Sequence, residues 1–350
     1  MGSVAPRTLT ERELNRALLA RQLLLERAKS PLPKALERIG GIQAQYAPSM
    51  YVGLWTRLEG FERDALTRAL ERRSVVQGTL MRTTIHLVSA GDYWSFAAAV
   101  RDARRQLWVK TGRDRPKPAQ VAAAAKRLRR ALAKGSLSRA EIDELLGKPG
   151  PQMINGVGLW LDLLRVPPSG TWERRRADIY AAAERWLDGE RASARKGMEL
   201  LVRRYLGGFG PAAKKEIADW AGLPPKDVER TLDELRLRRF RAEDGEELFD
   251  LPRAPLPDAD TPAPVRFLPV WDATLLTHAR RTGILPEEHR PRVFNVRTPH
   301  SVNTFLVDGK VAGTWSYKNG RLKTEPFGRL GRSAGAELRR EGERLAALFA

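Results

Sequence analysis

Two side-chain amides, those of Gln43 and Gln45, stand two positions apart with Ala44 between them. An amide does not titrate in the useful pH range, so it can neither activate water as a base nor act as an amine nucleophile. It can hold a water molecule and aim a carbonyl dipole at positive charge that develops in a transition state. Such help is sufficient only where the leaving group is already good. The tripeptide alone favours a simpler role, in which both amides cap a helix end and bond to the backbone.

The charge balance of the chain indicates a polyanionic partner. Its 350 residues carry 62 Lys and Arg against 42 Asp and Glu, which gives a net charge of +20 and a pI near 10.7. Nucleic acid is the first candidate partner, and an anionic membrane surface is the second. A generally arginine-rich proteome would give the same balance without any such partner.

Several kinds of site are excluded or disfavoured by what the sequence lacks. It has no cysteine, which excludes disulfides, thiolate nucleophiles, iron–sulfur clusters and cysteine-based zinc sites. His278, His289 and His300 are spaced eleven residues apart, which is not a chelating spacing on a helix or strand. There is no Walker motif, dinucleotide fingerprint, nucleophile elbow, signal-peptide core or long apolar run. We therefore expect a cytoplasmic protein with no metal, no cofactor and no membrane partner.

Hydrophobic periodicity predicts an α+β protein, mainly helical, built from three tandem winged helix-turn-helix units. The first unit spans residues 8–110 and opens with a Thr10-x-x-Glu13 capping box and a helix to about residue 28. Further helices are expected at 34–39, 61–72 and 92–106, with two strands at 75–80 and 83–88. Three helices followed by a strand pair is the order typical of a winged helix.

The second and third units repeat this order. The second unit, residues 118–206, is predicted to have helices at 120–133, 138–146, 150–164, 178–186 and 191–205, with a wing at 164–172. The third unit, residues 207–252, is the clearest. We expect Pro211 at the first position of a helix that ends at Trp220, a second helix at 226–235, and a hairpin whose tip is Asp244-Gly245. Winged helices usually bind nucleic acid, although some bind proteins.

A mixed, β-containing region is predicted over residues 253–350. A proline-rich linker or surface loop at 251–264 precedes its first strand. Strands are expected at 265–271 and 293–297, followed by a hairpin around Asp308-Gly309 and a closing amphipathic helix at 333–349.

Other side chains are candidates for DNA contact or for support of the site. Arg82, Thr83, Thr84 and His86 lie on the first predicted hairpin, where Arg82 would contact phosphate or the minor groove. His86 fits a packed structural role equally well, and Trp55 fits a core position better than stacking on a base. Asp272 is expected to buttress Arg280 or Arg281 rather than the catalytic region, with His278 as a further support residue. Phosphate contact, or a solvated basic face, is expected for Lys214, Lys215, Lys226, Arg230, Arg236, Arg238 and Arg239.

Taken together, several segments resemble those of the AlkZ-like DNA glycosylases, the winged-helix family that also includes YcaQ. The likeness begins with LNRALLARQLLL at 14–25, IQAQ at 42–45, YVGLW at 51–55 and LMRTTIHL at 80–87. It continues with GFGP at 208–211, WAGL at 220–223, FLPVWD at 267–272 and GKVAGTW at 309–315. Each motif is only moderately specific, but their order is strong and covers nearly the whole chain.

The resemblance implies three winged helices in a C-shaped arrangement that binds double-stranded DNA. It also implies a glycosylase that removes bulky N7-alkylated purines, including those in interstrand crosslinks, without metal or cofactor. The family divides by its catalytic tripeptide, and Gln43-Ala44-Gln45 matches the branch with glutamine at both ends, with Ala44 as a small aliphatic member. On this basis Gln45 is expected to position water and Gln43 to contact the sugar or the water.

The chemistry of such a site is consistent with this substrate. An N7-alkylguanine is cationic, so its glycosidic bond is weakened before the enzyme acts. A monofunctional enzyme is expected, because a lyase needs an amine with a depressed pKa and no lysine is singled out. We also expect a monomer that associates with the nucleoid when bound to DNA. The alternatives are a non-enzymatic winged-helix DNA-binding protein, such as a transcription regulator, and a family member that has lost catalysis.

Overall fold

A computed structural model describes residues 6–111, 115–276, 283–294 and 301–350. Its strands form three sheets, with helices packed around them, which confirms the predicted α+β class. None of the described helices is both long enough and apolar enough to cross a membrane.

The first unit contains the predicted winged-helix elements and one helix that the sequence did not indicate. Its elements are α1 Glu11–Arg21, α2 Leu32–Ile39, β2 Ile42–Gln43, α3 Ala47–Trp55, α4 Arg63–Glu71, β3 Val75–Thr79, β4 Ile85–Ser89 and α5 Ala90–Lys110. The Thr10–Glu13 capping box is confirmed. All nine residues of α3 are buried, so the helix has no polar face and no amphipathic period by which to predict it.

The predicted extension of α1 to residue 28 was wrong, because tertiary packing ends the helix at Arg21. Leu23 adopts a left-handed φ of 59° and turns the chain. Leu23 then packs in a core cluster with α2 and α3, whereas Leu24 packs in a second cluster with strands of the C-terminal sheet. The left-handed conformation of Leu23 cannot continue a right-handed helix, and it directs the two leucines into different clusters.

The second unit follows the predicted order, but one predicted helix begins as a strand. Its elements are α6 Pro118–Leu132, β5 Leu137–Ser138, α7 Arg139–Leu145, α8 Pro151–Trp160, β6 Leu163–Arg165, β7 Ile179–Ala182, α9 Ala183–Trp186 and α10 Ala194–Phe209. The predicted helix at 178–186 was wrong over β7, which pairs with both β5 and β6. The wing therefore extends past residue 172 and includes β7.

The first two units share one sheet. Its six strands lie in the order β2-β4-β3-β6-β7-β5, and β3 pairs with β6 through Gln77↔Arg165 and Gly78↔Leu164. Gly78 is required at this junction, since a Cβ there would lie 2.6 Å from Cε2 of Tyr93. The strand β2, which ends at Gln43, forms one edge of the shared sheet.

The third unit has the predicted helices and hairpin, with a shifted start. Its elements are α11 Lys214–Ala221, α12 Pro225–Glu234, β8 Arg238–Ala242 and β9 Glu247–Asp250, and β1 Thr8–Leu9 pairs in parallel with β8. The turn at Asp244-Gly245 is confirmed. The prediction that Pro211 begins a helix was wrong, because Ala212 exchanges two backbone hydrogen bonds with Phe249 and so stays extended.

A buried ion pair joins α1 to this third unit. The Arg21 guanidinium donates to the Asp250 carboxylate at 2.7 Å, and both side chains are 0% exposed. Arg238 also donates to Asp250. The Arg238 guanidinium is held by this buried carboxylate and by the Ala254 carbonyl, and its contact with phosphate stays a prediction.

The C-terminal region contains a four-stranded sheet that packs on the first unit. Its elements are β10 Arg266–Leu268, α13 Ala273–Leu276, α14 Arg290–Val293, β11 Thr304–Val307, β12 Lys310–Lys318, β13 Arg321–Pro326 and α15 Arg332–Phe349. The hairpin at Asp308-Gly309 and the closing helix are confirmed. Val293 ends a helix instead of starting a strand, and residues 295–297 lie outside the described ranges. Val52 and Trp55 of α3 pack against Phe267 and Trp315, which explains the complete burial of that helix.

Candidate active site

The strand β2 places both glutamines on one face. Ile42 pairs with Leu87 and Gln43 with His86, and the Ala44 amide extends the ladder by donating to the Ile85 carbonyl at 2.7 Å. Side chains alternate between the two faces of a strand. Ile42 and Ala44 therefore enter the hydrophobic core, where Ala44 is 2% exposed, and the two glutamines point the other way.

The helix-capping role that the tripeptide alone favoured is wrong. The residue that ends α2 is Gly40, in a left-handed conformation, and the residue that precedes α3 is Tyr46, whose side chain makes no capping bond. The amides instead bond to each other, with Gln43 Nε2 donating to Gln45 Oε1. Gln43 is buried, whereas Gln45 is exposed.

Arg82 fixes the orientation of the Gln43 amide. Its Nη2 donates to Gln43 Oε1 at 3.0 Å, and its Nη1 donates to the Trp220 carbonyl. A guanidinium can only donate, so the Gln43 oxygen must face Arg82 and the Gln43 nitrogen must face Gln45. The hydrogen bonds thus run in one direction, from Arg82 through Gln43 to the oxygen of Gln45.

The third unit holds Arg82 in place. Arg82 and Thr83 adopt left-handed φ values of 51° and 60° in the turn between β3 and β4. Gly222, between α11 and α12, lies so close that a Cβ there would be 2.9 Å from the backbone N and Cα of Arg82. Burial lowers the pKa of Arg82 to about 10, so the guanidinium stays charged at neutral pH. These contacts give Arg82 a positioning role that the sequence did not indicate.

His86 lies beneath this arrangement and is neutral. It is 3% exposed, and its Nδ1 lies 3.1 Å from the Thr84 carbonyl, which requires Nδ1 to carry the proton. Burial, followed by the charge of Arg82, lowers the pKa of His86 to about 3. Of the two roles that the sequence left open, the structure shows the packed one. Thr83 is exposed and Thr84 half-buried, and both line the same cleft as Gln45.

Asp272 and Trp55, which were predicted to support the site, are both buried. Both Asp272 oxygens accept from Arg57 at 2.9 Å, and Arg57 also donates to the Gly53 carbonyl of α3. Burial opposes the charge on Asp272, but Arg57 and the Thr274 donors outweigh burial and lower the pKa of Asp272. Trp55 is 7% exposed with the Arg27 guanidinium 4.8 Å from its ring, so its ring is not free to stack on a base.

The partners expected for Asp272 were Arg280 or Arg281, whereas the structure gives it Arg57. Those two arginines and His278 lie outside the described residues, as does His300. His289 is described, and it packs edge-on against Phe327. Among the described residues, no group of three or more His, Asp and Glu side chains could hold a metal ion.

The basic residues of the third unit fall into two groups. Lys214, Arg230 and Arg239 are ion-paired with Glu229, Glu234 and Glu247, respectively. Three others are exposed: Lys215, Lys226 and Arg236. Surface ion pairs are weak, so phosphate contact stays a prediction for all six residues.

A cleft of about 550 Å³ opens beside Gln45, between the first and second units. Its walls include four arginines that the sequence did not indicate as site residues: Arg104, Arg115, Arg139 and Arg165. The sequence holds no signal for them, because α5 alone carries Arg101, Arg104 and Arg105 and only the fold shows which of them faces the cleft.

The comparisons with known proteins agree with this architecture. A family model described as "DNA glycosylase AlkZ-like" matches residues 36–348. The chain belongs to the AlkZ-like family of DNA glycosylases. Membership makes the chain a DNA glycosylase, with DNA as its substrate and DNA repair as its process, and favours the enzyme over a transcription regulator.

Among solved structures, the chain is similar to the DNA glycosylase AlkZ of Streptomyces sahachiroi. The two share 18% sequence identity with a TM-score of 0.82, over 97% of this chain and 96% of the other. This likeness shows that they share the fold, including the winged-helix arrangement. No curated protein matches the sequence.

Proposed function

We propose that this AlkZ-like glycosylase hydrolyses the N-glycosidic bond of N7-alkylated purines, with Gln45 placing the attacking water and Gln43 fixing Gln45. The observation that carries the proposal is the directed chain of hydrogen bonds from Arg82 through Gln43 to Gln45. The Gln43 side chain is buried and its oxygen faces Arg82, so Gln43 is less accessible to the sugar than Gln45 is. The Gln45 amide is exposed at the cleft and keeps a free lone pair on its oxygen.

The scarcity of acid–base groups in the cleft supports a substrate with an activated leaving group. Among its described lining residues there is no carboxylate, and the nearby His86 is neutral. In hydrolysis, water attacks C1′ as the C1′–N9 bond breaks, and the released electron pair neutralises the cationic base. The proton of the water passes to solvent. A positioned amide dipole is sufficient for this step, because the positive leaving group has already lowered the barrier.

The size and lining of the cleft favour bulky adducts and monofunctional action. An opening of about 550 Å³ between two units leaves room for a base that cannot be extruded into a tight pocket. Interstrand crosslinks are the extreme case of such adducts, and we propose that they are unhooked here. The described lining includes arginines but no lysine, so it offers no amine for a lyase reaction.

We further propose that the enzyme acts as a monomer on nucleoid DNA in the cytoplasm, with its three winged helices in a C-shaped arrangement around the duplex. The net charge of +20 supports a large phosphate footprint. Residues 8–110 would supply the catalytic tripeptide, residues 118–206 and 207–252 the remaining DNA-binding units, and residues 253–350 the support for α3.

The test is base release under single-turnover conditions from a duplex that carries N7-methylguanine, and from one that carries a nitrogen-mustard crosslink. Wild type should release the base, and Gln45→Ala should abolish release while binding persists. Gln152→Ala is the matched control, since Gln152 is another exposed glutamine of the same cleft and should not affect the rate. Efficient release of uracil, or release that survives Gln45→Ala, would contradict the mechanism.

A further inference from the structure

The cleft beside Gln45 contains two arginines that meet at one residue. Arg104 of α5 donates through Nη1 to the Thr79 carbonyl at 2.8 Å, and Arg165 of β6 donates through Nη1 to Thr79 Oγ1 at 3.0 Å. Both line the cleft together with Gln45. One guanidinium comes from the first unit and the other from the second, so the shared sheet brings them together.

Neither guanidinium forms an ion pair with a carboxylate of the described residues, although Arg165 lies 5.4 Å from the Tyr180 ring. Arg104 is 8% exposed, and within the described residues its Nε and Nη2 have no hydrogen-bond partner. Nε of Arg165 is likewise buried without a partner. The nearby carboxylate of Asp162 is paired with Arg101 at 2.9 Å. The described cleft lining contains no Asp or Glu at all.

In the protein without DNA, these buried arginine charges contribute little to stability. A buried charge that lacks an opposite charge carries a large desolvation penalty, which a backbone carbonyl offsets only in part. Burial lowers the pKa of Arg104 to about 10, so the side chain is still charged at neutral pH. An anion that bound in the cleft beside the two guanidinium groups would supply the missing charge.

We propose that this arginine pair binds the phosphodiester next to the damaged nucleotide, on the strand from which the base is released. This assignment rests on the proposed function, because Gln45 lies in the same cleft and must face the C1′ of that nucleotide. A phosphate of the same strand is the anion that then comes within reach. Arg115, which packs on the Trp108 ring 5.4 Å away, extends the cationic wall for the next part of the backbone.

The bound phosphate would also serve the reaction. The sugar becomes positively charged in the transition state, and two uncompensated cations beside it would raise the barrier. A phosphate seated between the arginines and the sugar neutralises them. Loss of its charge should therefore reduce both binding and the rate of base release.

The test replaces single phosphates around an N7-methylguanine with uncharged methylphosphonates, one position at a time, and measures the Kd of each duplex. For wild type, we expect one or two positions on the lesion strand to weaken binding about tenfold or more, the loss of one charge-assisted hydrogen-bonded contact. In Arg104→Gln and in Arg165→Gln, the same replacements should have little further effect. Arg130→Gln, on the exposed face of α6, should keep the full wild-type sensitivity.

A stability measurement separates this role from a structural one. Because Arg104 lacks a counter-charge, Arg104→Met should raise the unfolding midpoint of the free protein while it weakens DNA binding. A lower midpoint together with unchanged DNA binding would show that Arg104 is structural. Equal sensitivity to every methylphosphonate in wild type and in the arginine variants would overturn the assignment.

Free phosphate is the other source of the same chemistry. Inorganic phosphate, titrated against sodium chloride at matched ionic strength, should compete with DNA only weakly. Tight binding of inorganic phosphate, with no methylphosphonate effect, would assign the cleft to a free anion and overturn the proposal. If the enzyme releases the base but the effects of the methylphosphonates on Kd do not depend on the arginine substitutions, only the assignment of the cleft to phosphate is overturned. If those effects do depend on the arginine substitutions but no alkylated duplex releases its base, the proposed reaction is overturned instead.

Discussion

Replacement of Arg82 by methionine tests whether the orientation of Gln43 matters for the reaction. Methionine keeps most of the length and the apolar contacts of the arginine stem but removes every donor. The Gln43 oxygen then loses its bond at 3.0 Å, and the amide is free to turn its nitrogen away from Gln45. A hydrogen bond from a charged donor contributes about 1.5–3 kcal/mol. We therefore expect base release to slow by about 10- to 150-fold.

The assay is single-turnover release from N7-methylguanine duplex at saturating enzyme, which isolates the chemical step from binding. The Kd for the duplex should change by less than about threefold, because the two hydrogen bonds of Arg82 go to groups inside the protein. In a Gln43→Ala background, Arg82→Met should add little, since both changes remove the same support. Arg130→Met, on the exposed face of α6, serves as the control.

The opposite pattern would refute this reasoning. If Arg82→Met weakened DNA binding and left the saturated rate unchanged, Arg82 would be a DNA contact, as the sequence alone suggested. The unfolding midpoint should be recorded in parallel, because the bond to the Trp220 carbonyl is lost as well.

Three predictions concern stability. The pKa of His86 is lowered by burial from 6.5 to about 3, so the unfolded chain binds a proton that the folded chain does not. Stability should therefore decrease as pH falls below 6.5, by about 1.4 kcal/mol per pH unit, and urea unfolding of His86→Asn should show a flatter profile. Asp272→Ala leaves the buried Arg57 without its counter-charge and should lower the free energy of urea unfolding by about 3–5 kcal/mol. The double variant Arg57→Met with Asp272→Leu should recover most of that stability. A loss under about 1 kcal/mol in Asp272→Ala would contradict the burial argument. Gly78→Ala should cost about 1–3 kcal/mol in thermal unfolding through its clash with Tyr93, and Tyr93→Leu should relieve that cost.

Local signals in the sequence located much of the fold. The capping box at Thr10 and the hairpin tips at Asp244-Gly245 and Asp308-Gly309 are each set by a few neighbouring residues, and all three are present. Where packing overrides local preference, the sequence misleads. The all-buried α3 has no polar face, the end of α1 depends on which clusters take Leu23 and Leu24, and β7 depends on its partner strands.

Only some residues of the candidate site could be predicted from the sequence. The family resemblance already placed Gln43 and Gln45 in one catalytic tripeptide, but the strand that puts both side chains on one face was not predicted. Their partner Arg82 could be named from the sequence but not given its role, since the Trp220 carbonyl that holds it lies in another unit. Arg104 and Arg165 could not be found at all. Their proximity arises only when two units of the chain pair their strands.

The sheet shared by the first two units limits how far this protein can be divided. Thr79 and Arg165, joined by a hydrogen bond, are 86 positions apart in the chain. Expressed alone, residues 8–110 would leave the β6-facing side of β3 unpaired, with free backbone groups at Gln77 and Gly78 that invite pairing with other chains. The winged helices are thus repeated in form but not interchangeable as modules. A shuffled or truncated variant would lose solubility together with one half of its arginine pair.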